Sequence, residues 1–108
     1  MTSLTRKEEM LLMAILNLKG DAYLVAIADY LTTITGKNVG ITNVHLPLNR
    51  LEKRGLITSG MGEATAVRGG RRKRIYSLTR LGFEELERHK HVTDQIWANF
   101  STKRNREF

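Results

Sequence analysis

Five cations, Arg68, Arg71, Arg72, Lys73 and Arg74, fall between positions 68 and 74 with no carboxylate among them. Held together they repel one another, so the run predicts an anionic partner, and the phosphates of a duplex compensate such a cluster well. Gly69 and Gly70 inside the run let the backbone approach another backbone closely or reach into a minor groove. A second set of groups is spaced by helical geometry. If Val44, Leu48 and Leu51 form one buried stripe, a turn of about 100° per residue puts Leu46, Asn49, Arg50 and Lys53 on the opposite side. Thr42, Asn43 and His45 flank that side near the helix start. Asparagine pairs with adenine edges, arginine clasps guanine or phosphate, and an outward leucine meets a thymine methyl. A merely solvated helix face would carry similar residues; two basic surfaces in one small chain favour nucleic acid.

Other chemistries find little support. With no cysteine, the sequence offers neither a disulfide framework nor thiolate metal ligands, which fits a reducing compartment. His89 and His91 are two apart on a predicted helix and point to different faces, so no metal site is expected. Neither a Ser-His-Asp pattern nor a phosphate loop ending in Lys-Ser/Thr occurs, and Glu84, Glu85 and Glu87 read as first-turn dipole partners of the last helix. The chain is therefore not expected to be an enzyme, and no cofactor is expected. Its 108 residues suit one domain, its 41% hydrophobic content is ordinary, and its net charge of +7 again favours a polyanion. The apolar run from Met10 to Leu16 is far too short to cross a bilayer, and no signal-peptide pattern precedes it, so no membrane partner and a cytoplasmic location are expected.

The elements that must position these groups are legible in turn. Thr5 and Glu8 form a capping box for a first helix, apolar around most of its circumference, that ends at a left-handed Gly20. So apolar a helix needs cover on several sides, one of which could be another subunit. Asp21 is expected to cap a second helix carrying Tyr23, Ala26, Ile27, Tyr30, Leu31 and Ile34 and ending at Gly36. After an extended stretch at 39–41, Thr42 is expected to cap a third helix closed by Gly55, with Pro47 near its first turn causing a local distortion and no break. Residues 56–60 and 72–78 read as two strands joined by a long glycine-punctuated tip. Thr79 caps a final helix to about Phe100, bearing Phe83, Leu86, Ile96, Trp97 and Phe100, before a charged, frayed tail at 101–108.

Three helices, a hairpin and a last helix make a mainly α (α+β) fold with the order of a winged helix-turn-helix followed by a C-terminal helix. Within one structural domain, residues 1–80 are expected to form the winged helix-turn-helix DNA-binding part and residues 81–108 a C-terminal dimerisation helix and charged tail.

The segments Leu48-Asn-Arg-Leu-Glu-Lys-Arg-Gly-Leu-Ile57 and Gly69-Gly-Arg-Arg-Lys-Arg-Ile-Tyr-Ser-Leu-Thr79, followed by Leu81-Gly82, resemble the PadR family of transcriptional repressors, in its compact branch. The resemblance spans Leu4 to Phe100. It implies a repressor, dimeric through its first and last helices, on an inverted-repeat operator. One departure stands out: where members carry Tyr-Pro in the recognition helix, this chain has His45 and Leu46, with Pro47 one place later. Their base preference is therefore not transferable.

Repressors of this type are often relieved by a small molecule, and a dimer axis near Trp97 would let two copies sandwich a planar apolar effector. Met10, Met13, Ile96, Trp97 and Phe100 are the residues expected at that effector and dimer surface, with Trp97 as a plain anchor of the dimer core the simpler role. Two rivals remain: a protein-interaction module whose apolar helices hold another protein, and an RNA binder, which the scarcity of aromatics on the basic surfaces disfavours.

Overall fold

The structure, a computed structural model, describes residues 4–62 and 73–107. The order is α1 (Arg6–Asn17), α2 (Leu24–Thr35), α3 (Ile41–Lys53), β1 (Ile57–Met61), β2 (Arg74–Leu78) and α4 (Arg80–Glu107). Thr5 Oγ1 accepts from the Glu8 amide at 3.1 Å while the Glu8 carboxylate accepts from the Thr5 amide at 2.9 Å, forming the expected capping box. The glycines expected to end the first three helices, Gly20, Gly36 and Gly55, all have positive φ (86°, 72° and 77°), a conformation that costs other residues steric strain. Only Gly36 is itself a C-cap; α1 closes at Leu18, two residues before its glycine.

Leu11, Leu12, Ile27, Val44, Leu48, Leu51 and Ile57 are essentially inaccessible, and they come from α1, α2, α3 and β1, so one core lies at the junction of these elements. The hairpin is antiparallel, pairing Ile57 with Leu78 and Ser59 with Tyr76. A third short piece joins it: Tyr23 bridges Ile75, and the Tyr76 amide donates to the Ala22 carbonyl at 2.8 Å.

That pairing explains one correction. Asp21 does not cap α2; residues 22 and 23 are drawn out as an edge of the sheet, and Tyr23 takes the N-cap position without a side-chain bond. Thr42 is likewise not the cap of α3, which begins one residue earlier behind an extended Gly40. β1 starts at Ile57, not Leu56; beyond the paired residues the Leu56 carbonyl accepts from the Thr79 amide at 3.1 Å, tying the start of β1 to the entry of α4.

Thr79 does cap α4, with its hydroxyl accepting from the Gly82 amide at 3.0 Å. Helix α4 does not fray at 101 but continues to Glu107; Lys and Arg at 103, 104 and 106 are good helix formers, and no glycine or proline interrupts them. Its first turn holds no acid. Glu84 and Glu85 lie beyond it and pair along the helix, with Arg80 at 3.8 Å and Arg88 at 3.2 Å. No helix among the described residues is long and apolar enough to cross a membrane.

Candidate nucleic-acid interface

Helix α3 turns as its spacing predicts. Val44, Pro47, Leu48 and Leu51 are buried, while Thr42, Asn43, His45, Leu46, Arg50 and Lys53 are exposed and Asn49 is half-buried. Leu46 stands out at 60% exposure, an apolar side chain with no place in the core. Pro47 sits one turn past the start and the helix continues through it, its ring in the buried stripe; lacking an N–H, it donates nothing to the carbonyl four residues back, at Asn43. Glu52, the single acid of α3, bonds to Ser59 on β1, and among the described residues Arg50 and Lys53 form no ion pair.

Several bonds hold this helix in place. Thr32 Oγ1 accepts from the Val39 amide at 2.9 Å, pinning the turn between α2 and α3. At the other end Arg54 donates to Glu8 Oε2 at 2.7 Å, in a pair whose side chains are only 30% and 18% exposed. Glu8 therefore caps α1 with one oxygen and anchors the end of α3 with the other, a second role that the capping-box pattern does not reveal. Partial burial shields this pair from the screening that weakens surface bridges.

The wing supplies Lys73 and Arg74 beside α3; Arg68, Arg71 and Arg72 lie outside the described residues. Lys73 Nζ sits 4.0 Å from the centroid of the Tyr23 ring, a cation–π contact. Arg74 donates to Ser59 Oγ at 2.9 Å. Tyr23, His45, Lys73 and Arg74 border an open groove of about 470 Å³ between the start of α2, α3 and β2. Sequence spacing placed Tyr23 on the buried stripe of α2; its place in this groove follows from the sheet edge and has no signature in local periodicity. Beneath the wing, burial pushes the Tyr76 phenol above its ordinary value, the Arg74 guanidinium draws it down, and the Glu52 carboxylate raises it again.

On the opposite side, the residues expected at a dimer or effector surface divide. Met10 packs against the core, whereas Met13 is partly exposed and borders a groove of about 420 Å³ with Leu16, Phe83 and Leu86. Ile96, Trp97 and Phe100 are 62%, 56% and 50% exposed on the projecting part of α4, with Trp97 and Phe100 in edge-to-face contact at 5.2 Å. His89 faces Glu9 of α1 at 3.4 Å while His91 is exposed, so the two histidines do diverge.

No protein-family model matches the sequence, and no curated protein matches it. Solved structures do. A PadR-like transcription factor from Bacteroides fragilis superposes with a TM-score of 0.66 at 19% identity, over 86% of each chain. A PadR family transcriptional regulator from Eggerthella lenta matches with a TM-score of 0.64 at 20% identity, covering 91% of this chain and 82% of that one. A PadR family transcription regulator from Clostridium difficile matches with a TM-score of 0.60 at 24% identity, over 91% and 95% of the two chains. The chain has the PadR-type winged-helix fold. In winged-helix terms α3 is the third helix, the β1–β2 hairpin is the wing, and α4 is a single helix that follows it.

Proposed function

We propose that the chain is a PadR-type transcriptional regulator that binds duplex DNA in a sequence-specific manner, as a homodimer. The observation that carries this reading is the outward face of α3. Thr42, Asn43, His45, Leu46, Asn49, Arg50 and Lys53 form a surface of hydrogen-bonding, apolar and cationic groups, and the one acid of the helix is turned away to Ser59. A helix about 10–12 Å across fits the major groove, where Asn, Arg and an apolar side chain each have base-edge partners. The cationic run of the wing, Arg68, Arg71, Arg72, Lys73 and Arg74, supplies positive charge for the adjacent phosphates.

The exposed Ile96, Trp97 and Phe100 of α4 and the Met13–Leu16–Phe83 groove support the homodimer, because an apolar surface of this extent costs free energy in water. Repression follows from occupancy of an inverted-repeat operator, and a cytoplasmic location follows from the DNA partner. Trp97 paired across the two-fold axis would also stack a planar apolar effector that shifts the dimer away from its DNA-binding geometry.

Salt dependence tests the reading. Affinity for a duplex is expected to fall about 10³-fold or more between 50 and 200 mM salt if some six phosphates are neutralised. Affinity that barely changes with salt, or no binding at low salt, would instead favour a winged helix whose apolar surfaces hold another protein.

A further inference from the structure

Lys73 and Arg74 are neighbours, and charge alone makes them equivalent. The wing separates them: Arg74 opens β2, while Lys73 lies just before it, its carbonyl accepting from the Gly62 amide at 2.7 Å. Ser59 pairs with Tyr76 and Met61 with Arg74, so Ser59, Tyr76 and Arg74 share one face, the face on which Ile57 and Tyr76 are buried. There the Ser59 hydroxyl donates its one proton to Glu52 Oε2 at 2.7 Å, and its lone pair accepts from Arg74 at 2.9 Å. The result is a chain from cation through hydroxyl to carboxylate in which each bond polarises the next in the same sense. Its ends lie on different elements, since Glu52 belongs to α3, between Arg50 and Lys53, and Arg74 opens β2. Lys73, by contrast, lies over the Tyr23 ring, with none of the described carboxylates bonded to it.

We infer that Arg74 is a positioning residue, which through Ser59 and Glu52 fixes the angle of the wing to the recognition helix, and that Lys73 is the phosphate contact of this pair. The inference rests on the DNA-binding reading above. A guanidinium that moved to a phosphate would leave the Glu52 carboxylate with a weaker partner and free the hairpin to rotate. The network thereby sets where Lys73, next to Arg74, stands relative to α3.

The test compares Lys73→Gln, Arg74→Gln, Ser59→Ala, Ser59→Thr and Glu52→Gln in the full chain by two readouts. The first, amide hydrogen exchange without DNA, is expected to quicken several-fold across 57–61 and 74–78 in Arg74→Gln, Ser59→Ala and Glu52→Gln. Ser59→Thr, which keeps the hydroxyl, and Lys73→Gln stay at the wild-type rate. The second is the dependence of duplex affinity on salt: Lys73→Gln lowers the slope of log K against log salt by about one, the loss of a single phosphate contact. Arg74→Gln and Ser59→Ala weaken affinity several-fold with the slope nearly intact, and Ser59→Thr restores it.

A slope reduced by one in Arg74→Gln with unchanged wing exchange would overturn the assignment and make Arg74 a direct phosphate contact. If the wild type binds no duplex at low salt, the DNA-binding reading fails by itself; unchanged exchange in Arg74→Gln and Ser59→Ala would separately refute the link between wing and helix.

Discussion

At the scale of single residues, α3 divides its labour by exposure. Arg50 stands on the outward face two turns beyond Thr42, without an ion-pair partner among the described residues, and its removal leaves the buried stripe of Val44, Leu48 and Leu51 intact. Arg50→Ala is therefore expected to weaken specific DNA binding by about 1–3 kcal/mol if the guanidinium reads a base, with thermal stability almost unchanged. Fluorescence anisotropy on a specific duplex, with a melting curve of the same variant, checks both halves. A melting point that drops as affinity falls would move Arg50 from recognition to structure. Spacing alone exposed this face, because a helix with one strongly apolar stripe leaves only one surface for everything else. It could not expose Tyr23 or the second role of Glu8, since both depend on contacts between residues far apart in the chain.

At the scale of elements, α4 starts in close contact with the segment that precedes β1. A Cβ added at Gly82 would collide with the Leu56 carbonyl oxygen, a backbone atom that cannot swing aside. That carbonyl is already engaged by the Thr79 amide, and Thr79 Oγ1 donates to the Gly55 carbonyl at 2.6 Å. Gly82→Ala should consequently lower stability by about 1–3 kcal/mol, measured by denaturant unfolding, even though alanine normally favours a helix. A stabilised variant would show that α4 does not sit so close to β1.

The order of elements, the capping box and the core stripe of α3 could be read from sequence because each is set by local periodicity or by a cap. The starts of α2 and α3 and the first residue of β1 could not. Residues 22 and 23 are claimed by sheet pairing, which overrides the cap preference of Asp21, and at α3 the extended Gly40, whose carbonyl accepts from the Asn43 amide at 3.0 Å, holds the cap position in place of Thr42. The far end of α4 was also misread, because a charged tail resembles a frayed one when only its polarity is considered.

At the scale of the whole molecule, a long helix leaves a small body. The chain measures 60 × 31 × 21 Å, and α4, with 28 residues at about 1.5 Å each, accounts for most of the long dimension. Ile96, Trp97 and Phe100 lie on the part of it beyond the His89–Glu9 contact with α1. Two such helices packed about a two-fold axis would cover these side chains and set two copies of α3 at a fixed separation. The duplex repeat requires that separation to be about 34 Å, one turn.

The most direct test is to select bound duplexes from a random pool with the purified chain, footprint the winner, and measure the mass of the complex. A dimer protecting an inverted repeat, with half-site centres about 10 base pairs apart or a whole-turn multiple of that, is the predicted result. No enrichment over random duplex, or one monomer on an unrepeated site, would contradict the account.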